Sequence, residues 1–543
     1  MMAGVLLLQS SPPKLEDIQK RIFHKNALEF LANLHREFDF KIDELYKNRL
    51  KTAVVLKSGS SLTFKESTER KDFSWKVAPL PPRLNNRHLD LGDVSASNAA
   101  HFIAALDSDV QGVQVDFDDG HCPTWRNQLL AFNNINLAVN GKLPGAPISI
   151  ATCPVLMLRP RAWNMIDHDI LIDGKEAVGA LVDFGILMYH NAKKLYEANS
   201  GPYFYLSKLE GAAEARLWNE IFVWTQSQLG IPQGTIKACV LIENIVSTFE
   251  MDEILYALKD HCIGLNCGIW DYCASIVAKF GDRKEFLLPD RNKYVNMDQK
   301  FLNSYMKLVV NTCHSRGALA TGGMAAAMLK PGTDGTDDAS KNIVNKVLEA
   351  KLKEIEAGVD GFMVYDSRIV PHINELWKKS GATPNQIHRI LDLNVTPEEL
   401  LLIPSGGVTM QGLKHNVAVT ILFIYHWLAG IGHFFYSGNV EDSATAEISR
   451  TQIWQWIRFS PYLEEDSKKQ VTLKLVEKVA SNFSAHAHKN LCRSNAERKR
   501  LTAAMYMSLE LFLCRNPPEF ITSYLNDNHK FRTLHNKSLL SNL

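Results

Sequence analysis

Residues 237–272 read KACVLIENIVSTFEMDEILYALKDHCIGLNCGIWDY and contain a complete strand–helix–strand unit. Short, mainly apolar runs occupy 237–243 and 263–266, and the segment 251–259 between them has helical periodicity. Apolar runs of this length that alternate with amphipathic segments predict parallel strands joined by helical crossovers. In such a sheet the residues after each strand carry the chemistry, so polar side chains at these positions are candidate site residues.

The same alternation continues from about residue 100 to residue 375. The other apolar runs are 112–117, 148–152, 203–206, 318–321 and 361–365, and the helical patterns between runs are 213–229, 298–316 and 342–357. So many units predict a closed (β/α)8 TIM barrel of the α/β class. Charged or polar residues end several of these runs, namely Asp116, Lys208, Glu243 and Asn266.

The chain outside the barrel is predicted to be helical. Residues 1–95 form an N-terminal segment, helical over 25–49, that wraps onto the barrel of residues 96–385. Residues 386–543 form an all-α domain with a helix start at Thr396-Pro and helices over 444–458, 467–483 and 495–514. The stretch 417–436 has no charged residue and is long enough to span a bilayer, but its histidines and polar flanks favour a buried helix.

Composition excludes several classes of protein. Hydrophobic residues are 46% and charged residues 22%, which excludes a largely disordered or collagen-like chain. A net charge of +1 disfavours a nucleic-acid partner. The nine cysteines contain no CxxC pair, so we expect free thiols in a reducing compartment and neither a disulfide framework nor a structural zinc site.

Carboxylates at strand ends are the first candidate site. Glu243 and Asp271 follow successive strands, and hard oxygen ligands of this kind suit Mg²⁺. The alternative is that each caps a helix or pairs with a lysine. The acidic cluster 116–119 either supports a metal or lies in a solvated loop.

Three further segments have two interpretations each. Arg159 and Arg161 flank a proline, so their side chains point to opposite sides and one of them either binds an oxyanion or pairs with an acid. The small residues after Thr321 admit an anion or serve helix–strand packing. The pair Glu441-Asp442 precedes a helix and suits its N-terminal dipole, and the residues alone do not single out Asp442.

The segment 259–272, KDHCIGLNCGIWDY, reproduces a family signature in which DH, two variable residues, GLN, a variable residue, G, another and WDY follow in order. Together with supporting segments, the chain resembles malate synthase of the shorter type found in peroxisomes, glyoxysomes and many bacteria, in order over nearly its whole length. The supporting segments are 75–79, 116–119, 123–125, 159–161, 201–210, 214–219, 249–255 and 441–456.

The resemblance implies a Mg²⁺-dependent enzyme that condenses acetyl-CoA with glyoxylate and hydrolyses the thioester to malate and CoA. It implies metal ligation by Glu243 and Asp271, and an acidic residue behind a metal-bound water at Asp118. It also implies that Arg161 faces the reacting carbonyl and that Asp442 removes the acetyl proton. Substrate contacts are implied at Gly268, Trp270 and Asp271. Small-molecule substrates are the expected partners, without nucleic acid or a membrane span, and the oligomeric state is left open.

The chain also departs from the family pattern near the expected pocket. The departures are Ala162, Asn164, Thr321, Asp366, Ser367, Cys273 and Ala274. They keep two alternatives open: a related synthase or lyase acting on another 2-oxo acid or acyl-CoA, and a catalytically weak scaffold that retains the barrel.

The last three residues, Ser541-Asn542-Leu543, approach the peroxisomal tripeptide Ser-Lys-Leu but lack its basic middle residue. With the poor secretory signal at the N-terminus, they predict a peroxisomal or glyoxysomal location with an import receptor as partner, and a cytoplasmic location otherwise.

Overall fold

The computed structural model describes residues 4–147, 149–333 and 337–527. The chain divides into two compact units. Unit 1 contains the described residues within 1–51, 63–268 and 306–394, and unit 2 contains those within 52–62, 269–305 and 395–543.

The strands form one large and three small sheets. In chain order they are β1 (Val5–Leu7), β2 (Leu89–Val94), β3 (Gly112–Asp116), β4 (Val155–Arg159), β5 (Ile166–Ile172), β6 (Lys175–Val178), β7 (Tyr203–Leu206), β8 (Lys237–Ile242), β9 (Cys262–Cys267), β10 (Leu319–Ala325), β11 (Gly361–Val364), β12 (Phe434–Tyr436), β13 (Asn439–Glu441), β14 (Tyr462–Leu463) and β15 (Asp466–Gln470).

The helices are α1 (Glu16–Ile22), α2 (Lys25–Lys57), α3 (Thr68–Lys71), α4 (Ala99–Leu106), α5 (Trp125–Val139), α6 (Gly179–Glu197), α7 (Ala212–Leu229), α8 (Met251–Ala257), α9 (Ile269–Phe280), α10 (Arg291–Tyr294), α11 (Lys300–Ser315), α12 (Asp338–Glu356), α13 (Val370–Ser380), α14 (Pro397–Leu400), α15 (Met410–Trp427), α16 (Ser443–Phe459), α17 (Leu473–Asn490), α18 (Asn495–Leu513) and α19 (Ile521–Asp527).

Eight parallel strands of unit 1 close into a barrel in the order β10-β11-β2-β3-β4-β7-β8-β9. This confirms the predicted (β/α)8 barrel. Its core contains a cluster of buried apolar and aromatic side chains, namely Leu84, which precedes β2, and the strand residues Val155, Met157, Tyr203, Tyr205, Cys239, Leu241, Ile263 and Leu319. The barrel is therefore a packed core, and the residues that follow the carboxyl ends of its strands are the candidates for a site.

Two barrel strands differ from the sequence prediction. The first strand, β2, lies before residue 96, where the barrel was predicted to begin. The sequence did not predict this strand, because LDLGDV interrupts the apolar run with two aspartates and a glycine. Asp90 is nevertheless buried there, paired with Arg87. Residues 149–152 form no strand, Ile148 lies outside the described residues, and the chain enters the barrel at β4 instead.

The N-terminal part of the chain belongs to unit 1. Helix α2 begins at Lys25, as predicted, and continues beyond residue 49 to Lys57. Its buried side chains, among them Leu31, Leu34 and Phe38, recur at helical spacing on one face. A three-stranded antiparallel sheet of order β1-β5-β6 was not expected from the sequence.

Unit 2 is mainly helical but contains two antiparallel hairpins, β12-β13 and β14-β15. The expectation of an all-α C-terminal domain is therefore incomplete. The predicted helix from residue 467 begins only at Leu473, because β15 occupies the residues before it. The helices predicted over 444–458 and 495–514 are present as α16 and α18.

The uncharged stretch 417–436 is not one helix. Helix α15 ends at Trp427, and the chain then forms β12, whose hairpin turn places Ser437 and Gly438 at positive φ. Most of α15 is buried in unit 2, where it packs against α16 and α18. Over the part of the chain that the structure describes, no helix is sufficiently long and apolar to cross a membrane.

Candidate active site

An acidic turn follows β3 at the carboxyl end of the barrel. Asp116 is fully buried and accepts hydrogen bonds from the backbone N–H groups of Asp118 and Gly120, both at 2.8 Å. Burial raises the pKa of Asp116 to about 6, although the nearby Arg159 opposes this shift. Asp118 accepts a hydrogen bond from the backbone of Ala162 at 3.1 Å. These bonds fix the turn and place Asp118 and Asp119 beside the neighbouring strand ends.

Arg159 is the cation of this cluster that comes from β4. It stands opposite Asp116 in the strand register, and its Nη1 lies 3.4 Å from Asp116 Oδ2. Its Nη2 lies 3.3 Å from Asp118 and 4.0 Å from Glu243, and it also pairs with Asp119. The Arg159 Nε is buried and has no hydrogen-bond partner among the described residues. One donor of this guanidinium is therefore available for a ligand oxygen.

Lys208, which follows β7, is the second cation. Its Nζ lies 3.0 Å from Asp118 Oδ2 and 2.8 Å from Asp119 Oδ1. Its backbone N–H donates to Glu243 Oε1 at 2.7 Å. From the sequence, Lys208 is recognisable only as a strand-end residue without a defined role, because pairing across three strands has no local sequence signal.

Glu243 follows β8 and is buried. Burial raises its pKa, while Lys208 and Arg159 oppose the shift. A Glu243 carboxylate oxygen lies within 4.8 Å of one from Asp119. Gly268, which follows β9, leaves room for this carboxylate, because a Cβ at that position would lie 2.7 Å from the Glu243 Cβ.

The donor set fits a divalent metal ion. Asp116, Asp118, Asp119 and Glu243 surround the cations Arg159 and Lys208. When all four carboxylates are ionised, two negative charges remain for a cation. Hard, charged oxygen ligands with this surplus suit Mg²⁺.

Arg161 has different partners. Its Nε and Nη2 form two bonds to Asp183, both at 2.8 Å, and Nη2 also donates to Asp167 at 2.7 Å. All three side chains are buried. As expected from Pro160, the two arginines point to different sides, and the acidic turn faces Arg159.

In unit 2, Asp442 is the N-cap of α16. Its Oδ1 accepts from the backbone N–H of Thr445 at 2.9 Å, and the Thr445 hydroxyl accepts from the Asp442 N–H at 3.0 Å, which completes a capping box. The neighbouring Glu441 lies 3.7 Å from both Arg291 and His415. Burial raises the pKa of Glu441, and Arg291 opposes this. The cap fixes the orientation of the Asp442 carboxylate, which lies next in the chain to a second buried carboxylate, Glu441.

Trp270 and Asp271 lie in the first turn of α9. Asp271 is buried and comes four residues after the last residue of β9, the strand next to β8. The guanidinium carbon of Arg291 lies 4.9 Å from the Trp270 ring centroid, a cation–π contact within unit 2. A carboxylate in the first turn of a helix also interacts favourably with the helix dipole. This is the simpler interpretation of Asp271, and metal ligation is the other.

Sequence comparisons with known proteins identify the family of the chain. The family model described as malate synthase, TIM barrel domain, matches residues 155–403, and that described as malate synthase, C-terminal, matches residues 407–527. Malate synthase of Myxococcus xanthus is 40% identical over 456 residues, which is 82% of this chain and 83% of the relative. The chain belongs to the malate synthase family. Glyoxysomal malate synthase of Candida tropicalis is 34% identical over 543 residues, covering 96% of this chain and 95% of the relative.

A solved structure of the Haloferax volcanii malate synthase magnesium/glyoxylate complex also aligns, with a TM-score of 0.40 and 14% sequence identity. It covers 78% of this chain and 99% of that chain.

Several departures from the malate synthase pattern have defined contacts. The Thr321 hydroxyl accepts a hydrogen bond from the Asn266 side chain at 2.8 Å, and Asn266 also donates to the Gly322 carbonyl at 3.0 Å. Asp366 caps the short turn that begins at Ser367.

Proposed function

We propose that the chain is an active malate synthase, which condenses acetyl-CoA with glyoxylate and hydrolyses the product thioester to malate and CoA. The observation that carries the proposal is the cluster of Glu243, Asp118 and Asp119 around Arg159 at the carboxyl end of the barrel. Membership of the malate synthase family over both its domains supports it.

Mg²⁺ is the cofactor of the proposal, held by Glu243 and Asp271, with Asp119 also within reach of Glu243. Asp271 is assigned from its place in the chain, because it follows the strand next to that of Glu243. A bound ion would orient glyoxylate and polarise its aldehyde. Asp118, held by Lys208 and by the backbone of Ala162, would accept a hydrogen bond from a metal-bound water.

The arginine that faces the reacting carbonyl is Arg159 in this proposal, instead of Arg161. The guanidinium of Arg161 donates to Asp167 and Asp183, whereas the buried Nε of Arg159 has no partner among the described residues. A donor already in place stabilises negative charge that develops on an enolate oxygen without reorganisation.

Asp442 is the proposed general base that removes a proton from the acetyl methyl group. A thioester α-proton is weakly acidic, so the base needs a fixed orientation and a stabilised enolate. The capping box supplies the orientation. Gly268 and Trp270 remain the proposed substrate contacts, the glycine by leaving space beside Glu243 and the indole by offering an apolar face.

Release of CoA from acetyl-CoA, followed with glyoxylate and Mg²⁺, tests the proposal directly. The wild-type chain should release CoA and form malate, and Glu243→Gln should not. The matched control is Glu220→Gln, which changes an exposed glutamate paired with Lys41 and should keep full activity. Absence of turnover in the wild type would favour the scaffold alternative.

A second candidate function is supported by Thr321. Its hydroxyl, bonded to Asn266, gives the barrel interior a polar group. A related synthase acting on a larger or more polar 2-oxo acid would use such a group. Faster CoA release with pyruvate or another 2-oxo acid than with glyoxylate would select this candidate.

We also propose a peroxisomal location. Ser541-Asn542-Leu543 lies outside the described residues, so the support comes from the tripeptide and from glyoxysomal relatives in Candida tropicalis and Brassica napus. A fluorescent reporter carrying the last twelve residues should give punctate peroxisomal signal, and the same reporter without Leu543 should stay diffuse. Diffuse signal from both reporters would reject the location.

A further inference from the structure

Lys208 has an unusual backbone for its residue type. Its φ is +56°, in the left-handed region that non-glycine residues rarely adopt. Two buried bonds hold it there: its N–H donates to Glu243 Oε1 at 2.7 Å, and its carbonyl accepts from Arg49 Nη2 at 2.8 Å. Such strain persists only where the surroundings enforce it, and it concentrates at functional sites.

Its side chain is as constrained as its backbone. The Lys208 side chain is only 4% exposed, and its ammonium lies between Asp118 and Asp119 at 3.0 and 2.8 Å. These carboxylates belong to the cluster whose surplus charge suits a divalent cation. The ammonium and a bound cation therefore interact with the same carboxylates. The presence of either positive charge makes the binding free energy of the other less favourable.

We propose that Lys208 is an internal counter-ion of the acidic cluster, which weakens the binding of the divalent cation while its backbone N–H fixes Glu243 for ligation. The inference rests on the metal site of the proposed function. Without metal, the ammonium offsets repulsion among the buried carboxylates. With metal bound, the ammonium weakens the binding enough for the ion to exchange its ligands with solvent and substrate.

The chain allows the two roles of Lys208 to be separated. Arg49 forms two bonds to Glu214, at 2.7 and 2.8 Å, and holds the Lys208 carbonyl independently of the ammonium. Lys208→Met should therefore keep the turn and the bond to Glu243 while it removes the charge. Lys208→Gln is a second neutral variant that retains a polar side chain.

Calorimetric titration of the metal-free full chain with Mg²⁺ alone tests the proposal. Lys208→Met and Lys208→Gln should lower the Kd about tenfold or more, because one buried positive charge has been removed beside the ligands. Lys208→Arg keeps the charge and should stay close to wild type. The matched control is Lys237→Met: Lys237 is also buried, but it begins β8, at the opposite end from Glu243, and donates to the Asp260 carbonyl.

An unchanged or raised Kd in both neutral variants, with binding in the wild type, would overturn the role of Lys208 alone. No Mg²⁺ binding by the wild type would reject the metal site of the proposed function and this inference with it. Thermal melting gives an independent readout: the neutral variants should melt lower than wild type without metal and gain more from Mg²⁺. If both neutral variants failed to fold even with Mg²⁺, the proposal would also be overturned, since the metal would then not replace the positive charge of Lys208.

Discussion

Two arginines one residue apart have different partners, and a substitution at each should have a different consequence. Arg159→Lys should lower kcat about 10²–10³-fold, because an ammonium cannot reproduce the planar fork beside the reacting oxygen. Arg161→Lys should instead lower the melting temperature, since it breaks two bonds to Asp183 and one to Asp167. Steady-state kinetics and thermal melting of both variants measure this. The reverse pattern would return the carbonyl-facing role to Arg161.

Asp442 caps a helix and is also the proposed base, and one substitution separates these roles. Asp442→Asn should lower kcat and kcat/KM together by about 10²–10⁴-fold with KM nearly unchanged. Stability should change little, because asparagine is an equally good N-cap and can still accept from the Thr445 N–H.

The matched control for Asp442 is Asp337→Asn, at the exposed N-cap of α12, which should affect neither kcat nor KM. A raised KM at unchanged kcat in Asp442→Asn would make the residue a binding contact. Full activity would assign it to the cap alone.

At single residues, the sequence indicates the carboxylates at the strand ends but not the side chains that pair with them. Glu243 could be found because a charged residue after an apolar strand is a local pattern. The choice between Arg159 and Arg161 depends on Asp167 and Asp183, and the role of Lys208 depends on Asp118. These contacts bring together different strands and helices, so no local pattern contains them.

Among the elements, α2 has a defined part in supporting the site. Arg49 on this helix pairs with Glu214 on α7 and holds the Lys208 carbonyl, and all three residues are buried. Arg49→Met should lower the free energy of unfolding by about 3–5 kcal/mol, because it leaves a buried carboxylate without its partner. It should also lower kcat. Chemical denaturation and kinetics measure the two effects. The control Lys47→Met changes an exposed residue of the same helix and should alter neither.

A double variant distinguishes the ion pair from the support of the turn. Arg49→Met with Glu214→Met removes both buried charges and should recover most of the stability. It should not recover kcat, because the Lys208 carbonyl still lacks its donor. Recovery of both would show that α2 contributes to stability only.

The small sheet β1-β5-β6 should make stability depend on pH. Burial, together with the neighbouring Asp167, raises the pKa of Asp169 on β5 to about 7. In the unfolded chain the pKa of an aspartate is about 3.9. Between these values the folded chain binds more protons than the unfolded chain, so this contribution to stability falls as pH rises from about 4 to 7.

Asp169→Asn should therefore stabilise the chain relative to wild type by ~1–3 kcal/mol above pH 7, with a much smaller effect near pH 4. Denaturation curves at both pH values measure this. Asp173→Asn, in the turn between β5 and β6, should have the opposite sign near neutral pH, because Arg36 lowers the pKa of Asp173. A pH-independent effect of Asp169→Asn would contradict the prediction.

Elements with strict periodicity were predictable from the sequence, and those with mixed patterns were not. Helix α18 and strands β8 and β9 agree with their apolar patterns. Strand β2 was missed because Asp90 is satisfied by Arg87, a pairing that a hydrophobicity pattern cannot represent. The hairpin of β12 was read as helix, since a short apolar run has no distinctive period of its own.

For the whole molecule, the barrel could be predicted from the repeated strand–helix units, because so many units have few other closed arrangements. The division of the chain into two units could not be predicted in the same way. Residues 269–305 belong to unit 2 although they lie between barrel strands in the sequence, and residues 1–51 belong with the barrel. Both assignments depend on contacts between distant segments, which the order of elements does not contain.

Metal binding should raise the stability of the whole chain if the proposed site is correct. A ligand that binds only the folded state stabilises it by RT ln(1 + [L]/Kd), about 2.7 kcal/mol at one hundred times Kd. Adding Mg²⁺ after treatment with a chelator should therefore raise the melting temperature of the wild type. Glu243→Gln should abolish this increase but keep the fold, because its side-chain oxygen still accepts from the Lys208 N–H. Glu220→Gln should retain the increase, and an equal increase in Glu243→Gln would place the metal elsewhere.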